Sequence, residues 1–263
     1  MLLDTYLGLW VMVFVVACLS LSDLGPRAAG SGKQMRMMLL GLPGGGKSSS
    51  GNTILGSDQF ESDTGFNAIT TETISQTATV EGRQVTMVDT PGITGERLSP
   101  KKLFDEIMKS IREAQPGPHA FVIVVRISRI TPADIKMFQM LKKLFGRDAL
   151  KYSMVLFTHG DQLNGRSMDD VIGKNDHVKD LVSVCGGRYC VFDNKQTTNR
   201  QQVRELLGTI DNMVTVNGRE PYTDPRFNKL QPKERQQQLF EWFRNWLNEL
   251  GLCSCFGGGE SSE

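Results

Sequence analysis

The sequence has no surplus of charge of either sign. Thirty lysines and arginines stand against twenty-nine aspartates and glutamates, a formal net charge of +1. So balanced a chain lacks the electrostatic footprint of a polyanion binder, which argues against nucleic acid as a partner. Cysteine is scarce as well. Cys18, Cys185, Cys190, Cys253 and Cys255 are an odd set of five, with neither a disulfide framework nor zinc-ligand spacing. That excludes a disulfide-stapled fold and fits a reducing compartment. No internal repeat is present, which argues against solenoids and propellers. What remains is a 263-residue chain of ordinary hydrophobic content, long enough for one good core and short appendages.

The densest signal in the chain is GLPGGGKSSSGNTILG, from Gly41 to Gly56. Its first eight residues, Gly41-Leu42-Pro43-Gly44-Gly45-Gly46-Lys47-Ser48, fit G-x-x-x-x-G-K-[ST], the phosphate-binding loop. The apolar run Met37 to Leu40 reads as a buried strand before it, and the residues through Ile54 and Leu55 read as a helix after it. A helix N-terminus with free backbone N–H groups can solvate a triphosphate, and Gly44, Gly45 and Gly46 leave the approach clear. Lys47 is expected to reach the outer phosphates. Ser48, with Ser49 beside it in the first turn, is expected to offer a hydroxyl to Mg²⁺.

From there strands and helices alternate, the mark of an α/β domain with a mostly parallel sheet. Glu72 to Val80 and Gln84 to Val88 read as two strands joined at Glu81-Gly82-Arg83, too tight for a crossover, so this pair is expected to be antiparallel. Lys101 to Ala114 reads as a helix stopped by Pro116-Gly117-Pro118. The run His119 to Val125 belongs at the centre of the sheet. Thr131, Pro132 and Asp134 open a helix to about Phe145. Tyr152 to Phe157 and Tyr189 to Phe192 read as the last strands and Gln201 to Val214 as the last core helix. Asn164 to Cys185 is polar, partly helical and not placed.

The strand Gln84 to Val88 runs into Asp89-Thr90-Pro91-Gly92, about forty residues beyond Lys47. An acid at the end of a second strand holds Mg²⁺ in phosphate-loop proteins, and the backbone N–H of Gly92 can meet a γ-phosphate because no side chain intervenes. The polar stretch before Glu72 is expected to cross the metal, with Thr70 or Thr71 supplying a hydroxyl ligand.

Six segments together carry a resemblance. GLPGGGKSSSGNTILG, AITTET, VDTPGI, PGPHAFVIVVRISRITPAD, VLFTHGDQL and RYCVFDNK resemble the GTPases of immunity-associated proteins (the GIMAP family, with an AIG-type G domain) in order and spacing over about residues 35 to 230. The block from Pro116 to Asp134 is the distinguishing segment. The resemblance implies a three-layer P-loop GTPase fold, with a mostly parallel central sheet, one antiparallel edge pair and helices on both faces. It implies GTP and GDP as ligands with Mg²⁺, places Thr70 at the first switch, and makes Thr158-His159-Gly160-Asp161 the guanine motif in place of N-K-x-D. Asp161 can accept two hydrogen bonds from guanine that adenine cannot offer, and His159 can stack on the base. In Phe192-Asp193-Asn194-Lys195, which stands where the family has F-N-N-[KR], Asn194 is expected to contact the base, whereas Asp193 departs from the pattern. The metal set is then Ser48, Thr70 and Asp89.

Ile93 follows Gly92 where Ras-like proteins carry a water-positioning Gln, so the isolated domain is expected to be slow. The resemblance implies that Arg129 enters a neighbouring subunit's site when two domains, of this chain or of a related GTPase, pair through the nucleotide face. Arg129 and Lys47 are then the candidate catalytic residues. A GTP-dependent membrane scaffold with negligible hydrolysis is the alternative that Ile93 favours.

The two ends give the remaining expectations. Residues 1–34 carry the uncharged run Tyr6 to Leu21, sixteen residues against about 20 for a full span. Signal peptide, uncleaved anchor and misassigned start exon all stand open. Arg27, Lys33 and Arg36 after the run favour an anchor with the domain on the cytoplasmic face of a membrane; without an anchor the chain is cytosolic. Residues 231–263 hold Leu239, Phe240, Trp242, Phe243, Trp246, Leu247 and Leu250 at helical spacing. That face serves either to dock on the domain or to meet a membrane or partner, with Cys253 and Cys255 beyond it as candidate palmitoylation positions or plain tail residues.

Overall fold

The computed structural model describes residues 34–61, 70–92 and 99–223, and from the last part of the chain 237, 240, 241, 243–245 and 248. Tyr6 to Leu21, Ile93, Cys253 and Cys255 lie outside the described residues, as do Leu239, Trp242, Trp246, Leu247 and Leu250. Among the described residues no helix is long and apolar enough to cross a membrane.

Six strands form one sheet: β1 (Met35–Gly41), β2 (Ile74–Val80), β3 (Arg83–Asp89), β4 (Ala120–Arg126), β5 (Ser153–Thr158) and β6 (Tyr189–Val191), in the order β2-β3-β1-β4-β5-β6. All pairs are parallel except β2 with β3, the edge hairpin. Its turn is Glu81 at φ 47° and Gly82 at φ 78°, the left-handed pair that matches the twist of the flanking strands. Strand order reverses at β1, with β3 on one side and β4 on the other, which opens a crevice at the carboxyl end of β1.

Alternation within the central strands builds two cores. Met38 and Leu40 of β1 and Phe121, Ile123 and Val125 of β4 face one side, against α2 (Pro100–Glu113), α3 (Pro132–Lys151), α4 (Met168–Gly173) and α5 (Asp176–Val184). Met37, Leu39, Val122 and Val124 face the other, against α1 (Lys47–Leu55) and α6 (Arg200–Val216). Helices therefore cover both faces, as a parallel sheet requires, and the three-layer expectation is met. Phe240 and Phe243 add to the first core. Each places its ring 5.5 Å from that of Phe104 on α2, and Phe243 is buried. At these two positions the C-terminal apolar face docks on the domain.

Two local expectations change. The helix opened by Thr131 runs to Lys151, not to Phe145. A mid-helix glycine costs about 1 kcal/mol, but Ala149 is fully buried, and its carbonyl accepts from Tyr152 N–H and Ser153 Oγ, so packing carries the helix past Gly146. The unplaced stretch holds α4 and α5, capped by Ser167, which accepts from Asp170 N–H, and by Asn175, which accepts from His177 and Val178 N–H. Short helices of this kind depend on caps more than on periodicity.

At the start of α3 the expected cap is present in full. Thr131 Oγ1 accepts from Asp134 N–H, while Asp134 Oδ2 accepts from Thr131 N–H at 2.8 Å. Thr131→Ala is expected to lower the unfolding free energy by about 1 kcal/mol. Urea denaturation measures it, and a change within error would mean that the box is ornamental.

Candidate functional site

The loop between β1 and α1 sits in the crevice where strand order reverses. Gly46 caps α1 at φ 92° with no side-chain partner, so the N–H groups of the first turn face the loop unsatisfied by any cap. A side chain at Gly46 would also press on Thr158 at the end of β5, whose hydroxyl donates to Gly45 C=O at 2.8 Å. Gly44 is exposed, Leu42, Pro43 and Ser49 are half-buried, and Gly41 and Gly45 are buried. Lys47 folds back over the loop, with Nζ donating to Gly41 C=O at 3.3 Å and Leu42 C=O at 3.1 Å. Its ammonium is buried, which lowers its pKa, while the charge of Asp89 opposes that shift.

Ser48, Asp89 and Thr70 converge. Ser48 Oγ donates to Asp89 Oδ2 at 2.6 Å and lies 3.1 Å from Thr70 Oγ1. Thr71 is exposed and has no part in this contact. Asp89 is 1 % exposed, and its Oδ1 is buried without a hydrogen-bond partner among the described residues. Burial raises its pKa, opposed by Lys47 and by hydrogen bonds from Ser48 and Thr70. An orphaned carboxylate oxygen beside two hydroxyls is a hard-oxygen donor set, which suits Mg²⁺ that keeps its remaining positions for phosphate and water. Among the described residues no three His, Cys, Asp or Glu side chains converge, so this set fits a cation shared with phosphate rather than a protein-only cage.

The Asp-Thr-Pro-Gly turn is anchored to the phosphate loop. Thr90 Oγ1 donates to Leu39 C=O at 2.7 Å. Gly92 lies so close to Pro43 that a Cβ would stand 2.4 Å from its Cγ. Only a residue without a Cβ lets the turn seat on the loop in this way.

At the far end of the crevice, His159 is held in the left-handed region at φ 61°, with Nδ1 3.1 Å from Thr158 Oγ1. Burial and the nearby Arg126 charge lower its pKa, which keeps the ring neutral at pH 7. Asp161 pairs with Lys195 at 2.5 Å, and this contact holds its carboxyl below the usual range. Lys195, at the last position of Phe192-Asp193-Asn194-Lys195, joins the site through this contact, which no local pattern in the sequence signals. Asp193, whose role was open, folds the loop: its carboxylate accepts from Lys195 N–H and from Gln196 Nε2.

Asn194, expected at the base, bonds to α1. Its Oδ1 accepts from Thr53 Oγ1 at 2.9 Å and its Nδ2 donates to Ser50 Oγ at 3.0 Å. One N–H and one lone pair remain on the amide. Ser50 and Thr53 were missed because helix-interior hydroxyls carry no signal of a distant partner. Arg129, in the loop after β4, is exposed and makes no hydrogen bond or ion pair among the described residues.

Because burial raises Asp89, the folded chain keeps a proton that the unfolded chain has released. Its contribution to stability therefore falls as pH climbs from the ordinary carboxylate pKa of about 3.9 through the raised value. Asp89→Asn is expected to remove that part of the pH slope. Thermal unfolding of the nucleotide-free chain from acid to neutral pH checks it, and identical slopes in both proteins would contradict the burial effect.

Residues 35–241 match the AIG1 family profile. Immune-associated nucleotide-binding protein 8 of Arabidopsis thaliana is 34 % identical over 217 residues, covering 77 % of this chain and 62 % of that protein. GTPase IMAP family member 8 of Homo sapiens is 31 % identical over 188 residues, covering 70 % of this chain and 28 % of that protein. The chain thus spans less than two thirds of either relative. Among solved structures, Toc33 of Arabidopsis thaliana in complex with Mg²⁺ and GMPPNP has a TM-score of 0.54 at 14 % identity, covering 78 % of this chain and 90 % of that one. A dimerization-deficient arginine-to-alanine mutant of Toc33 gives 0.57 at 15 %, covering 79 % and 91 %. At such identities these structures speak for the fold, which is that of a P-loop GTPase. With its phosphate loop, its Asp-Thr-Pro-Gly turn and the profile match over most of its length, the chain belongs to the AIG1 family.

Proposed function

We propose that the chain is a guanine-nucleotide switch, binding GTP and GDP with Mg²⁺ and hydrolysing GTP slowly. The observation that carries this reading is the meeting of Ser48, Thr70 and the unpartnered Asp89 Oδ1 beneath the glycine loop. Ser48, Thr70 and Asp89 would hold the cation, which neutralises charge on the phosphates. Gly41 to Ser49 cradle the phosphates through backbone N–H groups, Lys47 turns from loop carbonyls to phosphate oxygens, and Gly92 N–H senses the γ-phosphate. Asp161 reads guanine, His159 stacks on it, and Asn194 holds the base loop on α1 with one N–H left for the base.

Slow turnover follows from Ile93, which cannot orient water. Arg129 has no partner within the described chain, and we assign it to the site of a second copy, or of a related GTPase, paired through the nucleotide face. That Toc33 has a dimerization-deficient arginine mutant, and that another Toc structure ties dimerization to GTPase activity, supports this pairing by analogy. The G domain would span about residues 35 to 230, with the N-terminal run mediating membrane contact at the cytoplasmic face.

Labelled GTP is expected to be displaced by GDP but not by a large excess of ATP. Asp161→Asn is expected to weaken GTP roughly a hundredfold, since hydrogen bonds to a charged group contribute ~1.5–3 kcal/mol each. Equal displacement by ATP would end the guanine assignment.

Phosphate release per molecule is expected to rise with protein concentration, and Arg129→Ala is expected to lose about 10³-fold of the stimulated rate. Release that is measurable but independent of concentration would remove the trans arginine. Negligible release at every concentration would favour the scaffold.

A further inference from the structure

At the end of the sheet opposite the phosphate loop, a cavity of about 720 Å³ opens among Leu150, Lys151, Arg188, Thr209, Met213 and Val216. Lys151 ends α3 two residues before β5, and Arg188 directly precedes β6, whereas Thr158 and Asn194 of the nucleotide site lie at or beyond the carboxyl ends of those strands. Its volume lies in the range of small-molecule sites, ~300–1,000 Å³. Leu150, Met213 and Val216 give it apolar walls. Val216, at the end of α6, is 85 % exposed, an unusual position for a large aliphatic side chain.

The charges of the cavity are one-sided, because no aspartate or glutamate lines it. Lys151 is paired with Asp148 at 2.9 Å. Arg188 has no carboxylate partner among the described residues. Its half-buried guanidinium donates through Nε to Ser153 C=O at 3.0 Å and through Nη2 to Leu150 C=O at 2.9 Å, while Nη1 makes no hydrogen bond among the described residues. Gly186 leaves room for that nitrogen, since a Cβ there would stand 2.4 Å from it. Burial also pulls the guanidinium below its ordinary pKa. A half-buried cation hydrogen-bonded to two carbonyls and to no carboxylate among the described residues, beside an apolar wall, is complementary to an anion carrying a hydrocarbon tail.

We propose that this cavity is a second binding site, taking a single-chain anionic amphiphile. Its carboxylate or phosphate head pairs with the Nη1 edge of Arg188, and its tail lies on Leu150, Met213 and Val216. The site shares no residue with the nucleotide crevice, so it stands whether or not the chain binds GTP.

Calorimetry on the full chain tests it, with decanoate and decyl phosphate below their micelle concentrations. Decyltrimethylammonium supplies the same tail with the opposite charge, and inorganic phosphate supplies a head without a tail. Both decyl anions are expected to bind once per chain, and the cation and bare phosphate are not. Val216→Glu, on an exposed position, is expected to weaken both anions about tenfold without moving the unfolding temperature, and Arg188→Met to do the same or more. If Arg188→Met does not fold, Val216→Glu decides alone. Equal binding of the ammonium, unchanged affinity in Val216→Glu, or no saturable binding of either anion would overturn the proposal. So would binding to phosphatidylglycerol vesicles without binding to the monomeric anions, since that would make the region a membrane surface and not a cavity.

Discussion

A buried ammonium and a buried carboxylate share one end of this sheet. Lys47 is 5 % exposed and Asp89 1 % exposed. Each is costly to desolvate alone, and burial shifts the pKa of each toward its neutral form. Their mutual attraction offsets part of that cost, as do the loop carbonyls on Lys47 and the Ser48 hydroxyl on Asp89. Much nearby exists to keep this arrangement in place. Thr90 ties the acid's turn to β1, Thr158 ties β5 to the glycine loop, and Gly92 allows the turn to seat on Pro43. A binding site with unsatisfied buried charge is a poor stability device and a good ligand trap.

The sheet is the part of the fold most legible from the sequence. Continuous apolar runs such as Phe121 to Val125 can only be central strands, and a two-residue turn between Val80 and Arg83 can only join antiparallel neighbours. Helix ends were less legible because they are settled by tertiary packing. The helix opened by Thr131 reads as ending near Phe145, yet Ala149 beyond that point is pinned in the core. α4 and α5 escaped placement because their apolar positions are few and their boundaries rest on Ser167 and Asn175 caps, which resemble ordinary loop residues.

In the site, motif residues were legible and their partners were not. Ser48, in the first turn of α1, and Asp89, at the end of β3, stand where phosphate-loop chemistry needs oxygen donors, whereas only the family resemblance separates Thr70 from Thr71. Lys195, Ser50 and Thr53 act through contacts with residues 34, 144 and 141 positions away, and nothing local in a sequence encodes such distances. Thr73 shows the same limit. Its backbone N–H and hydroxyl bond to Glu106 on α2, linking the strand that follows Thr70 to the helix against which Phe240 and Phe243 pack.

The bond between Asn194 and α1 has a mechanical meaning. The helix that would receive phosphate and the loop that would receive the base are cross-braced by two hydrogen bonds. On the guanine-nucleotide reading, the crevice is then a caliper whose jaws are held at one opening before any ligand arrives. A nucleoside without phosphates would engage one jaw and a bare triphosphate the other. Only a molecule of the correct span would close on both, so that length is measured along with chemical identity.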